Sequence, residues 1–135
     1  MEDVIELLRE RNEDVPAPLD LPDDDDLVVV QEQILIHLPD EYKTFLKEVS
    51  DVICGSMEPA TVTDEQSHTY LPEVTALAWD LGMPREMIAI CEAPDGWYCI
   101  EQDGNVRFWS RVDETMTEEE WPTIWHWARD VWLES

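Results

Sequence analysis

Three cysteines and three histidines are the residues of this sequence that could supply a nucleophile, a general base or a metal ligand. A cysteine paired with a histidine can act as a thiolate nucleophile, and both side chains bind zinc. No Gly-x-Ser-x-Gly, His-Glu-x-x-His or phosphate-loop spacing surrounds them, and no set of four metal ligands is spaced to converge. We therefore predict a non-enzymatic protein with no catalytic residue, no metal site and no cofactor. The six residues are Cys54, Cys91, Cys99, His37, His68 and His126.

The cysteines are odd in number and lack a Cys-x-x-Cys spacing, which favours buried, reduced thiols over disulfides. The N-terminal segment MEDVIELLRER has neither the basic segment nor the apolar core of a secretion signal. The longest apolar stretch, residues 27–38, is about half of the ~20 residues that a membrane-spanning helix needs. We expect a soluble, cytoplasmic protein.

Asp23 to Asp26 form a run of four aspartates that invites comparison with a cation site. A calcium-binding loop alternates its oxygen ligands with spacers and contains a turn glycine, and this run has neither. Carboxylates are favourable in the first turn of a helix because the backbone N–H groups there are unpaired. The run therefore predicts a solvated acidic helix N-terminus.

The charge balance restricts the partners that the protein can bind. The 135 residues include 33 acidic and 8 basic ones, which gives a formal net charge of -25. This charge repels nucleic acid and anionic membranes, whereas it attracts a basic protein surface. We predict a basic protein partner, with no nucleic acid and no membrane. The candidate acidic contacts are Asp23, Asp24, Asp25, Asp26, Glu58, Asp64, Glu65, Asp113, Glu114, Glu118, Glu119 and Glu120.

Seven tryptophans could serve either the core or a recognition surface, because tryptophan is common in both. Core packing is the simpler interpretation for most of them. We select two as candidate surface contacts: Trp127, which lies off the stripe of the predicted last helix, and Trp109, which lies on the second face of the predicted sheet.

The stretch from residue 86 to residue 112 predicts the centre of the fold. It contains three short β-type runs separated by Pro94-Asp95-Gly96 and by Asp103-Gly104, both of which are turn signals. These runs predict a three-stranded antiparallel meander with apolar groups on both faces. On one face we expect Trp97, Cys99, Val106 and Phe108, and on the other Tyr98, Ile100, Arg107 and Trp109.

Helices are predicted before and after this meander. Apolar stripes indicate helices over residues 2–11, from Leu38 to Val49, and over 71–81, where Pro72 begins the helix and Gly82 ends it. Residues 27–36 fit a strand or a helix equally well, and 52–57 favours a strand. Thr117 to Glu120 fits a capping box, which predicts a last helix over 118–133. The pattern predicts an α+β fold, an antiparallel β-meander sheet packed with helices.

The order of several landmarks resembles the SUKH superfamily of fungal cell-wall assembly regulators and bacterial toxin-immunity proteins. The landmarks are Leu38-Pro39-x-x-Tyr42-x-x-Phe45-Leu46, a glycine-bearing segment after it, the turn before an aromatic strand, and Asp103-Gly104-x-Val106 followed by Trp109. The resemblance covers roughly residues 27–133. It favours a helix for residues 27–36. The Asn-Gly-Gly that often follows the Leu-Pro helix in the family is Ser50-Asp51-Val52-Ile53-Cys54-Gly55 here, and this departure weakens any transfer of a binding surface.

The apolar stripe and the prolines predict an N-terminal helix and proline-rich connector over residues 1–22. A SUKH-like single domain over residues 23–135 is what the resemblance implies for the rest of the chain. The resemblance also implies an immunity protein that binds and neutralises a cognate toxin domain, often a nuclease in such systems. The alternative is a regulatory or structural interaction module that has no toxin partner.

Overall fold

The computed structural model describes residues 2–16 and 19–135, without the side chain of residue 2. Part of the predicted proline-rich connector, residues 17 and 18, lies outside the described residues. Within them, a four-stranded antiparallel sheet has the order β1-β2-β3-β4 and is packed with five α-helices. The predicted α+β class is confirmed. The elements are α1 (Glu2–Glu10), α2 (Asp24–Ile34), α3 (Asp40–Val49), α4 (Leu71–Asp80), β1 (Ile88–Ala93), β2 (Gly96–Ile100), β3 (Val106–Ser110), β4 (Thr115–Trp121) and α5 (Ile124–Trp127).

The predicted meander is present, and both predicted turns close it. Pro94 and Asp95 connect Ala93 to Gly96, which are paired across β1 and β2. A Cβ atom at Gly96 would overlap the carbonyl oxygen of Trp109, so the neighbouring strand can approach only a glycine here.

The predicted faces of β3 were wrong. Trp97 lies opposite Trp109, and Tyr98 lies opposite Phe108, so each of these pairs shares a face. Trp97, Cys99, Arg107 and Trp109 therefore lie on one side of the sheet, and Tyr98, Ile100, Val106 and Phe108 lie on the other. The cause is the length of the connection between these two strands. Five residues separate the paired residues Ile100 and Val106, and this odd number places even-numbered residues of β2 opposite even-numbered residues of β3. The predicted faces would have required an even number of residues in the connection.

The predicted helix over residues 118–133 was wrong in its first part, where Thr115–Trp121 forms β4. Ser110 pairs with Thr115 and Val106 with Trp121, so this segment extends the sheet. Pro122 keeps the residue before it out of the helical region, and the helix begins only after Thr123, whose side chain accepts a hydrogen bond from the His126 N–H. After α5 the chain continues into a π-helical turn, Ala128–Trp132.

The predicted strand over residues 52–57 was also wrong. Cys54 and Met57 form an isolated bridge across a turn at Gly55, whose φ of 64° is left-handed. The last residue, Ser135, lies so close to Gly55 that a Cβ atom would overlap it, and the Trp132 indole N–H donates to the Cys54 carbonyl at 3.1 Å. The close approach of the C-terminal segment explains the glycine.

Two apolar layers cover the two faces of the sheet. On one face, Ile90, Ile100 and Val106 pack with the apolar stripes of α1, α2 and α3 and with the C-terminal tryptophans. On the other face, Trp97 and Trp109 pack with Val74 and Ala78 of α4 and its flanking methionines. Helix α1 joins the first layer through the buried residues Val4 and Leu8. The expectation of apolar groups on both faces is confirmed.

Candidate functional site

The aspartate run forms the acidic N-terminus of α2, as predicted. Asp23 and Asp26 make a reciprocal capping box, because the Asp26 N–H donates to Asp23 Oδ1 at 2.9 Å and the Asp23 N–H donates to Asp26 Oδ2 at 3.0 Å. Asp24 pairs with Lys47 of α3, and this hydrogen bond and charge lower the pKa of the Asp24 carboxyl. Asp25 is exposed. Three of the four aspartates therefore have a structural role.

A second acidic segment, residues 58–65, lies before α4. Glu58 is exposed and lies 2.7 Å from the Nε2 atom of His68. Asp64 accepts a hydrogen bond from the Gln66 N–H and so stabilises a local turn. Glu65 is exposed.

The two acidic segments converge on Tyr70, which lies just before α4. The Tyr70 hydroxyl donates to Gln33 of α2 at 2.8 Å. Burial raises the pKa of Tyr70, and the negative charges of Glu65, Glu73 and Asp26 raise it further. We call the surface formed by Asp26, Glu65 and Glu73 the Tyr70 face.

A third group of carboxylates follows β3. Asp113 and Glu114 occupy the turn into β4, where Glu114 has a left-handed φ of 55°. Glu118, Glu119 and Glu120 are exposed on β4, an edge strand of the sheet, and we call these three residues the β4 edge. Charged side chains on an edge strand hinder pairing with another chain, so these glutamates also have a structural explanation.

Trp109 and Trp127 were predicted as surface contacts, and the structure places both in the core. Trp109 is 2% exposed and its ring centre lies 5.9 Å from that of Trp97. Trp127 is fully buried against Tyr98 and Trp132, at 5.5 and 6.3 Å between ring centres. Trp109 is buried because α4 covers its face of the sheet. Trp127 is buried because α5 and the π-helical turn bury their indoles on more than one side.

The basic residues are held by the protein itself. In the described part of the chain, six of the eight form ion pairs with carboxylates, Arg11 donates to the Leu133 carbonyl, and Arg85 lies 4.5 Å from the centre of the Trp79 ring. Together with the His68 contact, these pairs engage only eight of the acidic side chains that the structure describes, in a sequence that contains 33 acidic residues. The surface is therefore strongly negative.

The groups that could do chemistry are poorly placed for it. Cys54, Cys91 and Cys99 are buried, as predicted, and burial raises the pKa of Cys91 and of Cys99 to about 12. A thiol at such a pKa is neutral at pH 7 and a weak nucleophile. Within residues 2–16 and 19–135, no three metal-binding side chains converge and no helix is long and apolar enough to cross a bilayer.

Two clefts flank the contact between Glu58 and His68. One, of about 280 Å³, is lined by Glu92 and Arg111, which form an ion pair at 2.8 Å. The other, of about 180 Å³, reaches the buried Trp132. Each cleft is small for an organic ligand, and neither brings an activated base next to a nucleophile.

The family model SUKH_5, described as SMI1-KNR4 cell-wall, matches residues 1–133. The chain belongs to this family. It is also similar to the chain described as "Crystal structure of protein from Pseudomonas syringae pv. tomato", with 61% sequence identity, a TM-score of 0.95 and 100% of both chains covered. No curated protein matches it. The predicted resemblance to the SUKH superfamily is thereby confirmed.

Sequence reasoning missed one surface of this SUKH_5 family member, the outer face of α2. Val28 and Val29 are 47% and 45% exposed, and Leu35, directly after the helix, is 85% exposed. The signal was present in the run LVVVQEQILI, where more positions are apolar than one buried stripe requires.

Proposed function

We propose that this SUKH_5 family member is a non-enzymatic, cytoplasmic protein-binding domain. It acts as an immunity protein that binds a cognate cationic toxin domain of the nuclease type and blocks the toxin's nucleic-acid groove. The same charge disfavours nucleic acid and anionic membranes as partners. The 61% identical chain from Pseudomonas syringae pv. tomato supports a bacterial setting for this role.

The observation that carries this proposal is the distribution of charge. Because the basic residues are engaged within the protein, the negative potential of the remaining carboxylates is left to act on solvent and on partners. Glu65 and Glu73 of the Tyr70 face are exposed, and none of the ion pairs within the described residues includes them. A nuclease presents a basic groove, so this surface is complementary to it.

The thiols support the absence of catalysis and the cytoplasmic location. A buried thiol with a raised pKa is a poor nucleophile, and three unpaired, buried cysteines fit a reducing compartment.

The family to which the chain belongs favours a second candidate. The words "SMI1-KNR4 cell-wall" suggest a regulatory or structural interaction module with an endogenous partner and no toxin. Such a module has the same fold and differs in its partner.

The test is a pull-down with the tagged chain from its own cells, washed at about 0.05 M and then at about 1 M NaCl, with bound proteins identified by mass spectrometry. The captured protein is then purified, and its nuclease activity on plasmid DNA is measured against increasing amounts of the chain. We expect a basic protein that is released at high salt and whose nuclease activity is inhibited at a one-to-one ratio. A wall or signalling protein as the sole partner would favour the second candidate.

Two matched variants locate the contact. Glu65→Gln with Glu73→Gln neutralises the Tyr70 face, and Glu118→Gln with Glu119→Gln changes the net charge equally on the β4 edge. We expect the first pair to weaken binding about five- to tenfold and the second to weaken it less. An equal loss from both would mean that net charge, and not the Tyr70 face, attracts the partner.

A further inference from the structure

The outer face of α2 carries apolar side chains that the fold does not use. Helix α2 packs on the core through Leu27, Val30 and Ile34. On the opposite side, Asp25, Val28, Val29, Glu32 and Leu35 recur at helical spacing, and all five are exposed. We call these five residues the outer face. A helix with apolar side chains on both sides is normally covered on both sides.

Leu35 is the most unusual residue of this face. It has a φ of 61° and a ψ of 31°, which is the left-handed conformation that glycine usually adopts at this position after a helix. A leucine is strained there, and with 85% of its side chain exposed it regains little from packing. The protein thus holds an apolar side chain in solvent at a cost to its own stability.

The turn that presents Leu35 is fixed from both sides. The Leu38 N–H donates to Gln31 Oε1 at 2.7 Å, and the Gln102 side chain donates to the His37 carbonyl at 2.9 Å. Between this turn and the helix lies a shallow cavity of about 360 Å³ lined by Val28, Gln31, Glu32, Leu35, Ile36 and His37. A preformed apolar surface loses little conformational freedom when it binds.

We propose that the outer face of α2 is the docking site for a cationic, amphipathic segment of the partner protein. The apolar side of this segment covers Val28, Val29 and Leu35, and its lysines or arginines pair with Asp25 and Glu32. The charges select this occupant, because a second copy of the chain would bring the same carboxylates together in a protein of net charge -25. This inference rests on the proposed function, namely that the partner is a basic protein.

The test uses two synthetic peptides of about 14 residues, a length at which an amphipathic helix can form on a surface. One repeats leucine at helical spacing on a lysine background, and the other replaces every leucine with serine at the same charge. Each is titrated into the ¹⁵N-labelled full chain at about 0.15 M NaCl, where exposed charges more than about 8 Å apart are largely screened. Backbone amide shifts locate the binding site and give its affinity.

We expect the leucine peptide to bind at least about tenfold more tightly than the serine peptide and to shift the amides of residues 25–37. The double variant Val28→Ser with Leu35→Asn should bind the leucine peptide about tenfold more weakly. It should remain folded, because asparagine accepts the left-handed backbone. Leu77→Ser with Leu81→Ser removes two exposed leucines at α4 and is the matched control, which should not change binding.

Equal affinity of both peptides, or shifts confined to other surfaces, overturns this docking site and leaves a purely electrostatic partner contact standing. Binding of neither peptide, even at about 0.02 M NaCl, contradicts the proposed function as well. A dimer that dissociates on dilution and is lost in the Leu35→Asn variant would assign the face to a second copy and overturn the cationic occupant.

Discussion

Replacing Leu35 with glycine should make the protein more stable, although it removes a large apolar side chain. A left-handed backbone costs a leucine roughly 1–2 kcal/mol, which glycine avoids. Glycine raises the entropy of the unfolded chain, which opposes this gain by about 0.5–1 kcal/mol. Because Leu35 is 85% exposed, the lost burial is worth only about 0.3 kcal/mol. The net effect is a stabilisation of about 0.5 kcal/mol.

The same substitution at Leu77 is the control, because Leu77 lies within α4 with an ordinary helical backbone and is 49% exposed. Glycine in a helix interior costs about 1 kcal/mol, and the lost half-burial costs about another 1 kcal/mol. Glu114→Gly provides a second comparison, since Glu114 also has a left-handed φ, of 55°, and should gain stability as Leu35→Gly does.

The assay is urea unfolding followed by circular dichroism, with the free energy of unfolding compared at an unchanged denaturant slope. We expect Leu35→Gly and Leu77→Gly to differ by about 2.5 kcal/mol, and Leu35→Gly to lie above the parent protein. If Leu35→Gly destabilises the protein as much as Leu77→Gly does, Leu35 is not strained, and its exposure gives no reason to assign it to recognition.

Two further predictions concern the buried core. Burial raises the pKa of Cys91 and of Cys99 to about 12 in the folded protein, above the usual value of about 8.5 for a thiol. The stability that their neutral thiols contribute is therefore complete below about pH 8.5 and is lost as the pH rises towards 12, and at pH 10 we expect a loss of about 2 kcal/mol per thiol in urea unfolding. A pH-independent stability between pH 8 and 10 would contradict this prediction. Trp127→Ala should cost about 3–5 kcal/mol in the same assay, because the indole is fully buried, and a loss below about 1 kcal/mol would restore Trp127 as a surface residue.

The sequence predicted those elements whose local signals and tertiary packing agree. Helix α4 begins near Pro72 and stops before Gly82, and the Pro94-Asp95 turn joins two strands. These signals are reliable because proline fixes its own φ and glycine accepts backbone conformations that other residues avoid, whatever the surrounding fold. The β3 faces were wrong because their alternation depends on the number of residues in a loop, and no residue type in the loop reveals which two residues pair.

Residues 115–121 show how a local signal can be overridden. Thr117 and Glu120 have the spacing of a capping box, but the Thr117 hydroxyl donates to the Phe108 carbonyl of β3, and Arg107 forms ion pairs with Glu120 and Glu101. Pairing with β3 therefore outweighs helix formation. Trp121-Pro122-Thr123 carried the correct signal, because the residue before a proline resists the helical conformation and Thr123 is a good N-cap.

The candidate site was predictable only where charge alone defines it. The acidic N-terminus of α2 follows from four adjacent aspartates, whereas its approach to Glu65 and Glu73 depends on the packing of α2 beside α4 around Tyr70. Burial of Trp109 likewise depends on α4 covering the second face of the sheet. The tertiary fold brings these residues together, and no characteristic spacing in the sequence predicts such contacts.

The ambiguity of residues 27–36 and the apolar outer face of α2 have the same origin. The fold needs one stripe, and Leu27, Val30 and Ile34 provide it. The additional Val28 and Val29 obscure the helical period and supply the β-branched residues that also favoured a strand. These surplus apolar side chains contribute little to folding, so folding does not explain why they are apolar. Recognition of a partner does explain it, and the same positions made the secondary structure hard to predict.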